Sequence, residues 1–235
     1  MPKLRVDIWS DIACPWCYIG KRRLEVALEQ FAQRDDVEIV WRAFELDPSA
    51  PRLLASSGSY AERLAKKYGS NVAQAESRLT QMTGVAAADG LDFRFDKIRP
   101  GNTFDAHRLI HLAHERGAQD AVKERFLHAY MTEGAPIGDP ETLSRLAREA
   151  GLDAEEVTAV LATDQYAREV RADEEEASTL GISGVPFFVV GGRYAVSGAQ
   201  PAEVLLGALK RAWAERAPAI ETLAEGAVCG PDGCV

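Results

Sequence analysis

The sequence predicts an α/β fold in which one sheet carries a large all-helical insertion. Three observations support this class: the chain begins with a β-α-β pattern, continues with a long helical block, and ends with a β-β-α pattern. We expect one domain formed by residues 1–48 and 182–217, a helical insertion domain at residues 49–181, and a C-terminal tail at residues 218–235.

The first unit begins with a strand and continues into a helix. Apolar and charged residues alternate at positions 4–8, and Trp9 follows on the face of the charged ones, which predicts a half-buried strand. From Leu24 to Phe31 the apolar residues recur at helical spacing. Val37 to Leu46 then predicts a second strand, which an Asp-Pro pair ends.

The segment Cys14-Pro15-Trp16-Cys17 lies between the first strand and the helix. Pro15 suits the first helical position because its fixed φ matches the helix and its missing N–H would be unpaired there, so Cys14 is expected to be the N-cap. A thiolate at an N-cap is stabilised by unpaired backbone N–H groups and by the positive end of the helix dipole. The position therefore favours a reactive thiolate at neutral pH.

Cys17 follows Cys14 by about one helical turn, so the two thiols can form a short disulfide ring. A ring this small gains little from chain entropy, which favours reversible exchange over a structural role. The alternatives are half of a zinc site or two buried thiols. A closed zinc site needs four ligands, and the sequence has no second CxxC or nearby His.

The helical block from residue 51 to residue 180 has recognisable ends. Asp139-Pro140 predicts an N-cap with proline in the first turn, and Asp153-x-x-Glu156 predicts a capping box. Gly181 predicts the end of the last helix. The short alternating piece Leu91–Phe95 is left open between strand and loop.

Strand patterns return near the end of the chain. Val185–Val190 and Arg193–Val196 predict a hairpin around the turn Gly191-Gly192. A closing helix follows, because apolar residues recur at helical spacing from Val204 to Trp213.

Composition limits the class of protein and its compartment. The chain has 235 residues, 46% of them hydrophobic and 27% charged, which is enough to bury a core without disulfides. Its net charge of −9 argues against nucleic acid or an anionic membrane as a partner. The first residues lack the pattern of a secretory signal, so we expect a cytoplasmic protein whose four cysteines are catalytic or regulatory. No cofactor is expected.

Three segments together resemble a known family. They are Ser10-Asp11-x-x-Cys14-Pro15-Trp16-Cys17-Tyr18-x-Gly20, Asn102-Thr103-x-x-Ala106-His107-Arg108-Leu109 and Gly184-Val185-Pro186-Phe187-Phe188. With the helical insertion, they resemble the thioredoxin fold in its DsbA-like branch and, more narrowly, the FrnE-type dithiol–disulfide isomerases. The resemblance extends over nearly the whole chain and implies a thioredoxin-like domain with a large all-helical insertion.

The resemblance implies a thiol–disulfide oxidoreductase or isomerase that acts on protein thiols and disulfides, with glutathione as a small-thiol partner. Cys14 matches the family nucleophile and Cys17 the resolving cysteine. Pro186 matches the cis-proline beside the active site, which would expose the Val185 backbone to a bound peptide. Trp16 is expected to be partly exposed, where it suits apolar substrates. Monomer and homodimer both remain open.

The sequence departs from the family at a buried acid. Thioredoxins and DsbA commonly carry this acid six residues before the first cysteine, where it assists proton transfer from the resolving thiol, but Ile8 stands there. Asp7 is adjacent, yet in a strand it faces the opposite side. Water or Asp11 is left as the proton acceptor.

Two alternative functions remain open. Kappa-class glutathione transferases and isomerases are similar but carry a serine at the position of Cys14, so the cysteine favours disulfide exchange over a glutathione-dependent reaction. A holdase-like protein would bind unfolded chains in an apolar groove near Trp16 and Pro186, with redox chemistry secondary.

Three histidines, His107, His111 and His114, recur on one face of a predicted helix at a spacing that can bind a metal. No acidic signature accompanies them, so no metal site is expected, and packing or a substrate-facing role is preferred for His107.

The tail contains a second pair of cysteines, Cys229 and Cys234, separated by Gly-Pro-Asp-Gly. This spacer favours a turn that brings the two sulfurs together. We expect a second redox pair that exchanges with the first. Two incidental thiols in an unstructured end, or a four-cysteine zinc site, are the alternatives.

Overall fold

A mixed four-stranded sheet organises the fold in the computed structural model, which describes residues 3–53 and 58–216 and the backbone of two short strands in the tail. The sheet has the order β2-β1-β3-β4. Its strands are β1 (Leu4–Ser10), β2 (Val37–Ala43), β3 (Phe187–Val190) and β4 (Tyr194–Ser197). β1 is parallel to β2 and antiparallel to β3, and β4 is antiparallel to β3. The predicted α/β class with one sheet is confirmed.

Helix α1 (Pro15–Glu29) connects β1 to β2 by way of a short 3-10 helix (Arg34–Asp36). Within the described ranges, seven further helices lie between β2 and β3, and one follows β4. They are α2 (Tyr60–Lys67), α3 (Val72–Ala88), α4 (Phe104–Glu115), α5 (Gln119–His128, continued by a π-helical turn at Ala129–Glu133), α6 (Pro140–Glu149), α7 (Ala154–Ala162), α8 (Ala167–Thr179) and α9 (Ala202–Ala214). Among these described helices, none is long and apolar enough to cross a membrane.

Both faces of the sheet are covered near the end of β1. Ile8 points into the main hydrophobic core, whereas Trp9 is buried on the opposite face with Ala177 of α8. The Trp9 indole Nε1 also donates to the backbone carbonyl of Asp173 at 2.9 Å. The prediction of a half-buried strand is therefore wrong at this end, because α8 covers the second face.

Strand β2 is an edge strand whose outward backbone groups bind side chains of the helical insertion. Gln119 of α5 accepts from the Trp41 N–H and donates to the Trp41 carbonyl, both at 2.9 Å. Asp173 of α8 accepts from the Ala43 N–H at 2.8 Å. Burial raises the pKa of Asp173, but hydrogen bonds from His111 and Ala43 more than offset this, so that its pKa lies below the ordinary value.

The helix caps follow the sequence with one difference. Asp139 caps α6 by accepting from the Thr142 N–H at 2.9 Å, as predicted. Asp153 caps α7 and accepts from the Glu156 N–H at 3.1 Å. The Glu156 carboxylate instead binds Arg116 of the neighbouring α4 end at 2.6 Å, so the predicted capping box is half formed.

Some strand boundaries also differ from the prediction. β2 ends at Ala43, short of Leu46, because the Leu46 N–H donates to the Asp11 carboxylate at 2.8 Å and the chain turns there. β3 begins at Phe187, two residues after the predicted start. Leu91–Phe95 is a loop whose apolar side chains are buried in the core.

The two hairpins lie after the insertion. The turn between β3 and β4 contains Gly191 and Gly192, whose φ values are +62° and +66°. The predicted pairing from Arg193 is wrong, because Val190 pairs with Tyr194 and the loop therefore has three residues, Gly191 to Arg193. In the tail, the backbone of β5 (Cys229–Gly230) pairs antiparallel with β6 (Gly233–Cys234), with Cys229 opposite Cys234. The predicted bond between these cysteines, and the alternative zinc site, concern side chains that lie outside the described residues.

Candidate active site

Cys14 and Cys17 lie at the start of α1, as the sequence predicts. Cys14 is the N-cap with extended backbone, and Pro15 occupies the first turn. The Cys17 N–H donates to the Cys14 carbonyl at 3.1 Å. Both cysteines are free thiols, but Cys14 is 5% exposed and Cys17 is 0% exposed. A reacting group from outside therefore reaches Cys14 first.

The loop before β3 lies against Cys14. The Cys14 thiol donates to the Val185 carbonyl at 3.5 Å, and the Val185–Pro186 peptide bond is cis, as the resemblance implies. Pro186 is buried against α1 at Gly20, where an added Cβ would lie 2.9 Å from the Pro186 Cγ. Trp16 is 39% exposed beside the cysteines, as predicted. This arrangement forms a site with one reachable sulfur, one backbone carbonyl and one exposed ring.

The environment of Cys17 disfavours its thiolate form. Burial raises its pKa well above the ordinary value, and the hydrogen bond and charge of Cys14 raise it further. The charge of Lys123 acts in the other direction but does not cancel the shift. In the reduced protein Cys17 is therefore a protonated thiol, and its attack on another sulfur requires a proton acceptor.

Asp11, one of the proton acceptors left open by the sequence, is buried in the loop that leads to Cys14. Its carboxylate accepts from the Leu46 N–H at 2.8 Å and the Ala13 N–H at 3.3 Å, and lies 3.5 Å from His107 Nε2. Burial raises the pKa of Asp11, but His107, Leu46 and Thr103 lower it more, so its pKa is below the ordinary value. Asp11 is thus a stable anion and a weak base.

The three histidines of α4 face different groups. His107 is buried, and its Nε2 lies 3.5 Å from the Asp11 carboxylate but makes no hydrogen bond with any described residue. His111 binds Asp173 at 2.9 Å, and His114 is exposed. His107 is therefore buried beneath the loop that leads to Cys14. No group of three or more His, Cys, Asp or Glu in the described ranges could hold a metal ion.

Lys123 of α5 is the site residue that sequence reasoning missed. It is 0% exposed, its Nζ lies 3.4 Å from the Ser10 carbonyl at the end of β1, and it lies 5.4 Å from the centre of the Trp41 ring. Burial lowers its pKa to about 8. Lys123 shares a helical face with Phe126 and Leu127, where an apolar residue is normal, and this was the available signal.

Comparison with known proteins agrees with this geometry. Residues 5–210 match the DSBA-like thioredoxin domain. The chain belongs to this family. A probable DsbA oxidoreductase from Streptomyces coelicolor is 50% identical, with a TM-score of 0.87 over 99% of this chain and 98% of that one. The Bacillus subtilis protein YwbO is 28% identical over 190 residues, which cover 80% of this DSBA-like chain and 87% of YwbO.

A more distant structure shares the fold alone. The cytosolic disulfide reductase DsbM from Pseudomonas aeruginosa has a TM-score of 0.58 at 15% identity, over 90% of this DSBA-like chain and 96% of DsbM. The fold is therefore the DsbA-like form of the thioredoxin fold, with its sheet and helical insertion.

Proposed function

We propose that this DSBA-like protein is a thiol–disulfide oxidoreductase and isomerase of the FrnE type, which exchanges disulfides with protein substrates through Cys14 and Cys17. The observation that carries the proposal is the unequal environment of the two thiols. Cys14 is 5% exposed and contacts the Val185 carbonyl, whereas Cys17 is 0% exposed with a raised pKa. These environments support an attacking role for Cys14 and a resolving role for Cys17.

Reduction of a substrate disulfide takes two exchanges. The Cys14 thiolate attacks one substrate sulfur, so that a mixed disulfide forms and the other substrate sulfur leaves as a thiolate. Cys17 then loses its proton and attacks the Cys14 sulfur, which releases the second substrate thiolate and leaves a Cys14–Cys17 disulfide. The substrate gains the two electrons that the two enzyme thiols lose. Oxidation of a substrate dithiol runs in reverse, and isomerisation occurs when a substrate thiol attacks the mixed disulfide instead.

The Val185 carbonyl supports an extended peptide as the substrate. In the free protein this carbonyl accepts from the Cys14 thiol at 3.5 Å. A Cys14 sulfur in a mixed disulfide has no proton to donate, so the carbonyl becomes available to a backbone N–H of the substrate. The exposed Trp16 ring then contacts an apolar side chain of that peptide.

Partners and compartment follow from the same chemistry. We infer protein thiols and disulfides as the main substrates and glutathione as the small thiol that exchanges with the pair, in the cytoplasm. The cytosolic reductase DsbM, which shares the fold, has also been crystallised with glutathione. Cys229 and Cys234 are proposed as a second redox pair that exchanges with the first.

The test is catalysis by the full chain in two assays, insulin reduction and recovery of scrambled ribonuclease. We expect activity in the wild type, loss of activity in Cys14→Ser, and stable mixed disulfides in Cys17→Ala, because that variant has a nucleophile but no resolving thiol. If Cys14→Ala traps substrate and Cys17→Ala does not, the assigned roles are reversed. A wild type that prevents aggregation equally well as Cys14→Ser, and exchanges no disulfides, would instead support a holdase.

A further inference from the structure

We propose that the amine of Lys123 takes the proton from Cys17 when Cys17 resolves the mixed disulfide. The inference rests on the proposed disulfide exchange and names the proton acceptor for it. The helical insertion then supplies a working part of the redox site, because Lys123 belongs to α5, whereas Cys17 belongs to α1 and Cys14 is its N-cap.

Lys123 lies close to the end of β1. The side chain reaches from α5 to the end of β1, where Nζ lies 3.4 Å from the Ser10 carbonyl, and it covers the Trp41 ring at 5.4 Å. Trp41 pairs with Ile8 in the ladder between β1 and β2. The amine therefore lies at the end of β1, four residues before Cys14, and over the ring of the residue that pairs with Ile8.

A second buried lysine, Lys21, has carboxylate partners that Lys123 lacks within the described ranges. Lys21 of α1 is 3% exposed, yet it pairs with Glu25, with Asp120 at 3.2 Å and with Glu124 at 3.0 Å. These acids outweigh burial and raise its pKa, so Lys21 stays charged. No carboxylate within the described ranges lies within 4.0 Å of Lys123 Nζ. A buried lysine without such a partner loses and regains its proton near neutral pH.

The groups that face Lys123 come from three elements. Cys17 and Cys14 belong to the start of α1, Asp11 belongs to the loop after β1, and Asp120 belongs to α5 itself. Burial lowers the pKa of Lys123, and the charges that these four groups carry when ionised oppose that shift, with Cys17 the strongest. The thiolate and the ammonium that proton transfer creates therefore stabilise each other.

Asp11 is better suited to a different role. Its pKa lies below the ordinary value, so it holds a proton poorly at neutral pH and cannot compete with an amine as the acceptor. As a buried anion, however, it favours the protonated form of Lys123. Asp11 thus stabilises the ammonium that forms when Lys123 takes up the proton.

Proton transfer from Cys17 accompanies its attack on the mixed disulfide. The Cys17 S–H bond breaks, its proton moves to Lys123 Nζ, and the thiolate attacks the Cys14 sulfur. The Cys14–Cys17 bond forms, the bond from Cys14 to the substrate breaks, and the substrate sulfur leaves as a thiolate. The Lys123 ammonium then returns its proton to solvent. In the opposite direction, the ammonium gives its proton to Cys17 when the enzyme disulfide is reduced.

The experiment measures the resolving step directly. The full chain with Cys229→Ser and Cys234→Ser is converted to the mixed disulfide of Cys14 with thionitrobenzoate, and release of the coloured thiolate is followed in stopped flow across pH. In the protein with Lys123 the rate should rise with pH and level off when the amine becomes neutral, at about pH 8 or below, because Cys14 carries no charge in the mixed disulfide. Lys123→Met should resolve about 100-fold more slowly at pH 7, with the rise moved to higher pH.

Two further variants make the result specific. Lys123→Arg keeps a positive charge but cannot accept a proton, so this levelling should disappear. It also carries the test if Lys123→Met does not fold. Lys21→Met is the matched control, because it also removes a buried lysine, and it should keep the profile of the parent chain.

Three outcomes overturn the inference: an unchanged profile in Lys123→Met, an unchanged profile in Lys123→Arg, or the same shift in Lys21→Met. In each case the parent chain still resolves its mixed disulfide, so the proposed function stands. If the parent chain itself forms no mixed disulfide or never resolves it, the proposed function fails instead.

Discussion

Replacing Gly20 with alanine tests how closely α1 must approach the loop beside Cys14. The added Cβ would lie 2.9 Å from Pro186 Cγ and 3.3 Å from Phe188 Cζ. A proline ring has little freedom to move aside, so the loop itself must shift. Since Val185 is bonded to Pro186, its carbonyl should move relative to the Cys14 sulfur that it now meets at 3.5 Å.

Two opposing effects set the size of the change in stability. Alanine favours the helix over glycine by about 1 kcal/mol, whereas overpacking a close contact costs about 1–3 kcal/mol. Gly20→Ala should therefore be less stable than the wild type by about 0–2 kcal/mol. The matched control is Gly207→Ala in α9, where nothing in the described chain lies within 4 Å of the added Cβ. This control gains the helix term alone, about 1 kcal/mol.

Urea unfolding and thermal melting of both variants measure the difference. We expect Gly20→Ala to be about 1–3 kcal/mol less stable than Gly207→Ala, which corresponds to a difference in Tm of about 2–12 °C. Insulin reduction should fall by about tenfold in Gly20→Ala alone, because the carbonyl beside the nucleophile is displaced. A Gly20→Ala protein as stable and as active as Gly207→Ala would refute the reasoning.

Three other predictions concern acid stability, substrate binding and the tail. The pKa of Asp173 is lower in the folded protein than its ordinary value of 3.8, so its carboxylate stabilises the fold above that pH and this stabilisation is lost as pH falls below it. Asp173→Asn should lower the free energy of unfolding by about 3 kcal/mol at pH 7 and by less at pH 3 in urea titrations. Trp16→Ala should raise KM for an apolar peptide by about two- to tenfold with kcat and Tm unchanged, and an equal loss for a polar peptide would contradict this. Deleting residues 226–235 should change the redox response without lowering Tm; if mass mapping after partial oxidation finds neither a Cys229–Cys234 bond nor a cross-link from the tail to the first pair, the tail has no redox role.

The local part of the site could be predicted from the sequence because neighbouring residues determine it. The N-cap position of Cys14 follows from the strand, Pro15 and the helix that are adjacent in the chain. The Gly191-Gly192 turn is local in the same way. The prediction that the Val185–Pro186 bond is cis depended on the family resemblance, because no local sequence pattern distinguishes a cis from a trans bond.

The long-range part of the site could not be predicted. Lys123 and Ser10 are 113 residues apart, and a lysine on a helix face is normally expected in solvent. The burial of Trp9 depends on α8 crossing the second face of the sheet, and the pattern of β1 alone contains no information about that helix. Both errors have one cause: helices of the insertion, α5 and α8, pack against strand β1, which is far from them in the sequence.

The hydrogen bonds on the outer side of β2 have a further consequence for the proposed exchange of disulfides with unfolded chains. An uncovered edge strand is a template for any extended segment, and substrates of this kind would aggregate on it. Here the Trp41 N–H and carbonyl are occupied by Gln119, and the Ala43 N–H by Asp173. These side chains occupy the backbone groups to which an added strand would form hydrogen bonds. An unfolded substrate is therefore kept from adding a strand at this edge of the sheet.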